Sequence, residues 1–89
     1  MKSIHIIVFG TVQGVGFRHY TKEQAIALGI LGTVTNLSNG NVEIYAMGKA
    51  QALKEFLVWC HNGPSTSHVV SIEYEYIENL NADSFEIIR

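Results

Sequence analysis

A short apolar run, Ile4-His5-Ile6-Ile7-Val8-Phe9, passes directly into Gly10-Thr11-Val12-Gln13-Gly14-Val15-Gly16-Phe17-Arg18, and a helical pattern begins where the glycines end. A buried strand is therefore followed by a tight crook and then by a helix. Three glycines in seven positions let several backbone N–H groups converge on one point. The start of the next helix adds its positive dipole end, and Arg18 adds a fixed cation. Such a concavity suits a phosphate or a similar oxyanion. The stretch is neither of the familiar phosphate loops: no Lys follows the glycines as in GxxxxGK[ST], and the spacing of Gly10, Gly14 and Gly16 does not fit GxGxxG. The alternative is a strand-to-helix turn whose glycines only relieve strain, with Arg18 on a solvated face.

Periodicity places the remaining elements. Phe17, Thr21 (through its methyl), Ala25 and Leu28 fall at helical spacing, and Gly29 stands where a C-terminal cap belongs. Strand-like segments at 31–37 and 41–47 flank Ser38-Asn39-Gly40, and an Asn-Gly pair in that setting signals a hairpin. In the second segment Val42, Ile44 and Ala46 face one way, and Glu43 and Tyr45 the other. A second helix fits 50–62, with Ala50, Leu53, Leu57 and Cys60 as its apolar stripe and Gly63-Pro64 as its stop. Residues 69–77 alternate again, Ile72, Tyr74 and Tyr76 against Glu73, Glu75 and Ile77, and Phe85–Ile88 forms a short last strand. The order β-α-β-β-α-β plus one strand is the split βαβ, ferredoxin-like α+β arrangement. It predicts two helices on one face of a mostly antiparallel sheet, with the place of the last strand open. Without linker, repeat or low-complexity segment, residues 1–89 are expected to form one domain.

Composition narrows the function classes. Of the 89 residues 47% are apolar and only 16% charged, which describes a globular chain rather than a disordered one. No apolar run approaches the ~20 residues of a membrane span, and the start MKSIHIIVFG lacks the architecture of a signal peptide. Cys60 is single, so no intramolecular disulfide is expected, which suits a reducing cytoplasm. A net charge of −2 argues against nucleic acid as the main partner. His5, His19, His61 and His68 match no zinc spacing, so no metal site is expected. Cys60 reads as a small core residue. Trp59, Phe56, Tyr74 and Tyr76 read as core or sheet-face packing, and Glu73, Glu75 and Glu78 as a solvated edge.

Asn36 closes the second strand just before the hairpin. In a split βαβ fold that strand end lies close to the loop after strand one, where a carboxamide could hold a water beside a bound phosphate. Equally, Asn36 could serve only to initiate the turn.

Two segments together resemble the signatures of the acylphosphatase family. GxVQGVxFR is matched from Gly10 to Arg18 and GxVxNxxxGxV from Gly32 to Val42, each at every specified position. Length, element order and the segment from Gly63 to Phe85 fit as well, so the resemblance covers nearly the whole chain. One departure is Thr33, where the family often carries a large aromatic. The resemblance implies hydrolysis of an acyl phosphate to a carboxylate and inorganic phosphate, without cofactor, metal or covalent intermediate. It implies that Arg18 binds the phosphate, that Asn36 positions the water, and that the backbone of Gln13, Gly14, Val15, Gly16, Phe17 and Arg18 forms the amide cradle. A small-molecule acyl phosphate, with phosphate or a similar anion as product or inhibitor, is then the expected partner of a monomer. Two other classes share features with this chain. The amino-terminal domain of hydrogenase-maturation carbamoyltransferases is related but sits in a larger, zinc-binding protein. RRM domains share the element order, but Asn41 to Met47 (NVEIYAM) lacks their aromatic RNA-binding segment.

Overall fold

Ile4, Ile6 and Val8 are wholly buried while His5, Ile7 and Phe9 between them are half-buried. Strand β1 (Lys2–Thr11) therefore presents one face to a core and the other to a sheet surface without helices, as the two-residue period of a strand requires. The computed structural model describes residues 1–78 and 80–89. After β1 come α1 (Phe17–Ala27), β2 (Leu31–Asn36), β3 (Val42–Gly48), α2 (Ala50–Asn62), β4 (His68–Ile77) and β5 (Phe85–Ile88). The strands form one sheet in the order β4-β1-β3-β2-β5, antiparallel except where β5 runs parallel to β2. This is the ferredoxin-like arrangement, with the last strand added outside β2.

Register carries the burial pattern from strand to strand. Ile4, Ile6 and Val8 stand opposite Ala46, Ile44 and Val42, and Val34 stands opposite Ile44. All of these belong to a single buried cluster completed by Val12, Phe17, Ala25, Ile30, Leu53, Phe56, Cys60 and Phe85. Helix α1 ends in a Schellman motif: Gly29 is left-handed (φ 71°), its N–H donates to Ile26 O, and Ile30 N–H donates to Ala25 O at 2.8 Å.

Two side-chain placements differ from the sequence pattern. The buried stripe of α2 is Leu53, Phe56 and Cys60, with Leu57 at its margin and Ala50 exposed. The i, i+3, i+7 set that includes the larger Phe56 faces the sheet, and Ala50 lies on the first turn, beyond the sheet contact. Tyr74 and Tyr76 share the helix-side face with Ile6 and Ile4 yet are 54% and 52% exposed. The helices cover the Val69–Ile72 end of the edge strand and leave its far end to solvent.

Candidate active site

The start of α1 is open to a ligand. Its N-cap is Gly16, no side chain caps it, and no acidic residue stands in its first turn. The first N–H groups of any helix lack partners within it, so here they face outward beside the crook. Gly14 and Gly16 both take left-handed φ, 74° and 81°. A side chain at either would be strained, so glycine keeps this bend of the backbone accessible. Phe17 anchors the construction from below: it is buried and packs against Trp59 with ring centroids 5.5 Å apart.

Arg18 follows on the first turn, half-buried and without an ion pair among the described residues. Asn36 reaches the same place from the sheet. Strand alternation puts it with Val34 and Gly32 on the helix-side face, at the end of β2. Its carboxamide oxygen is shielded from solvent and has no protein donor, the one such side-chain atom among the described residues. A buried acceptor of that kind costs about 1–3 kcal/mol if left unpaired, so the position favours a ligand or water able to donate to it.

These groups surround one cavity of about 140 Å³. Gly14, Gly16, Phe17, Arg18 and Asn36 line it together with Val12, His19, Ile87 and Arg89. Of the residues named from the sequence, Gln13 and Val15 do not line it. Gln13 instead donates both hydrogens of its carboxamide nitrogen outside the crook, to Leu37 O at 2.7 Å and to Asn41 O at 2.8 Å. Val15 O accepts from Thr66 Oγ1 at 2.7 Å. In a planar trans peptide the C=O and the following N–H point opposite ways, so this bond turns the Gly16 N–H away from Thr66. Sequence reasoning missed Thr66, since nothing in the local pattern marks a partner 51 positions away. Ile87 was findable, because it falls on the same face of β5 as buried Phe85. His19 lines the cavity rim while its side chain stays 65% exposed and lies 3.1 Å from Glu23. Thr33 lies on the opposite sheet face, across from Tyr45.

Other reactive groups sit apart. Burial pushes the Cys60 thiol far above its ordinary range, so it stays protonated and is no thiolate nucleophile. Glu86 is held below its ordinary range by a hydrogen bond from Ser84 and by nearby Lys22, which links β5 to α1. Among the described residues no three His, Cys, Asp or Glu gather as a metal set.

Comparison with known proteins gives a consistent picture. The acylphosphatase family model matches residues 4–87. The chain is 45% identical over 74 residues to an acylphosphatase of Aeromonas salmonicida, covering 83% of this chain and 82% of that one. The crystal structure of acylphosphatase from Bacillus subtilis superposes with a TM-score of 0.96 at 37% identity over the full length of both chains. Full-length HypF, in its phosphate- and nucleotide-bound form, contains a similar region: TM-score 0.87 at 25% identity, covering 99% of this chain and 12% of that one.

Proposed function

Since the chain belongs to the acylphosphatase family, we propose that its cavity hydrolyses acyl phosphates by in-line attack of a water at phosphorus. The observation that carries this reading is the convergence of an uncapped helix start, the left-handed Gly14–Gly16 crook, Arg18 and Asn36 on one cavity. The amides of the crook and the fork of Arg18 take the phosphoryl oxygens, and their donors are fixed before charge develops. The otherwise unpaired Asn36 oxygen accepts a hydrogen from the attacking water and sets it opposite the leaving oxygen. The P–O bond to the acyl group breaks as the water oxygen bonds to phosphorus. The acyl group leaves as a carboxylate, whose conjugate acid has a pKa of about 4, so no general acid is needed. The water proton passes to a phosphoryl oxygen, which removes the need for a protein base. Phosphoryl transfer of this type rests on positioning and charge stabilisation, and these residues supply both.

We propose further that the protein is a one-domain monomer acting in the cytoplasm. Its lone cysteine is buried and free, and among the described residues no helix is long and apolar enough to cross a membrane.

The test uses a small aryl acyl phosphate, assayed with and without chelator, and the variants Arg18→Gln and Arg18→Lys. Turnover should survive the chelator and fall by about 10²–10³-fold in both variants, since Lys keeps the charge but not the two-point grip. Near-normal turnover in Arg18→Lys would refute the assigned grip.

A further inference from the structure

The function proposed above uses the backbone of the glycine crook but gives the Gln13 side chain no part. We infer that Gln13 is a positioning residue that fixes Asn36 in register with the phosphate cradle. Both of its partners are carbonyl oxygens, Leu37 O at 2.7 Å and Asn41 O at 2.8 Å. Only the amino end of the carboxamide can serve two acceptors, so its orientation is set by chemistry rather than by choice.

Those two carbonyls lie at the base of the β2–β3 turn, where Leu37 N–H donates to Asn41 O at 2.9 Å and Gly40 N–H donates to Leu37 O at 3.2 Å. Each already has a partner within the turn, so Gln13 is not needed to close the hairpin. What it adds is a link between two segments 24 and 28 positions apart in sequence. Leu37 directly follows Asn36 in the chain, and Gln13 directly precedes Gly14 in the crook. One side chain thereby fixes the distance between the group assigned to the water and the amides assigned to the phosphate. Without it these groups are joined through the sheet, Asn36 opposite Val42 and Val42 opposite Val8, and then through the free run of chain from the end of β1 into the crook. A displacement of about 1 Å in such an arrangement can cost on the order of a hundredfold in rate.

This inference rests on the water-positioning role of Asn36, and the experiment separates the two. Gln13→Met keeps the length and removes both donors; Gln13→Asn keeps the carboxamide but is too short to span both carbonyls. Each is combined with Asn36→Ala in a double-mutant cycle with kcat, KM and the inhibition constant for inorganic phosphate as readouts, well below the melting temperature of every variant. In the wild-type background both Gln13 variants should lower kcat by on the order of tenfold while phosphate inhibition changes by less than about threefold, because Arg18 and the cradle amides are untouched. In the Asn36→Ala background the same changes should lower kcat by less than about twofold. Multiplicative losses, or a normal kcat in the single Gln13 variants, would overturn this inference while leaving the role of Asn36 standing. An unchanged kcat in Asn36→Ala alone would remove the role of Asn36, and this inference with it. If Gln13→Met does not fold, the Gln13 side-chain amide protons of the wild type give a second reading. Both should resist solvent exchange, and rapid exchange of either would sink the clamp.

Discussion

Two glycine-bearing turns of this molecule, the crook at 12–16 and the hairpin turn at 38–40, solve the same backbone problem in opposite ways. The hairpin turn holds itself. Leu37 N–H bonds Asn41 O, Gly40 N–H bonds Leu37 O, and Asn39 Oδ1 accepts from Asn41 N–H at 3.0 Å, all within five residues. The crook contains no comparable local set. The side chain that holds one of its peptides comes from far away in sequence, Thr66 on Val15 O, while the Gln13 side chain points out of the crook to the hairpin base. A turn that only reverses the chain can spend its polar groups on itself. A turn that binds an anion must leave its N–H groups unspent, so its shape has to be imposed from outside.

The same substitution in the two turns should therefore give opposite readouts. Gly16→Ala forces a side chain onto φ 81° and brings its Cβ to 3.3 Å from the Tyr20 ring. The left-handed strain is about 1–2 kcal/mol, and the crook would relax by moving the amides that the helix start presents. We expect kcat/KM to fall on the order of 10²-fold. Gly40→Ala meets similar strain at φ 95°, but its Cβ enters open space. Stability should fall by about 1–2 kcal/mol, seen as a drop of several degrees in Tm, with kcat unchanged in the folded protein. If Gly40→Ala cost as much activity as Gly16→Ala, the division of labour between the turns would be wrong.

Thr66→Val sharpens the contrast, because it alters the crook without touching a crook residue. Valine keeps the shape and removes the hydroxyl that holds Val15 O. A single hydrogen bond of net worth about 1 kcal/mol corresponds to roughly fivefold. That loss should appear in kcat/KM and in weaker phosphate inhibition, with little change in Tm, as the bond is exposed. Weaker phosphate inhibition here, set against preserved inhibition in the Gln13 variants, would tell the two clamps apart.

What could be read from the sequence divides along the same line. Hairpin, helix caps and strand faces were legible because each depends on neighbours within a few positions: Asn39-Gly40 for the turn, Gly29 for the end of α1, the alternation of Val42, Ile44 and Ala46 for the buried face. The cavity wall was legible in part: the glycine spacing and Arg18 pointed to an oxyanion, whereas Asn36 on its own residue type could equally have initiated the turn, and Gly14, Gly16, Arg18 and Asn36 do line one cavity. The Gln13 and Thr66 side chains were not, because their partners are set by how β1, β2–β3 and the loop before β4 come together. The exposure of Tyr74 and Tyr76 was hidden for a related reason: alternation gives the face, while only the lateral reach of the helices decides how much of that face is covered.

The smallest effect offers the most direct check on the self-held turn. Asn39→Ala removes the side-chain acceptor of Asn41 N–H, a group that can turn to solvent once freed, as the bond is exposed. The cost should be about 0.5 kcal/mol, the low end for a hydrogen bond. The ladder on either side, Asn36 opposite Val42 and Thr35 opposite Glu43, is formed by backbone groups and stays in register. Gln13 still finds both carbonyls at the hairpin base, so kcat and phosphate inhibition should both match the wild type within about twofold. A clear fall in kcat with unchanged phosphate inhibition would mean that Asn39 helps to place Asn36, and that even the outer turn belongs to the reaction geometry.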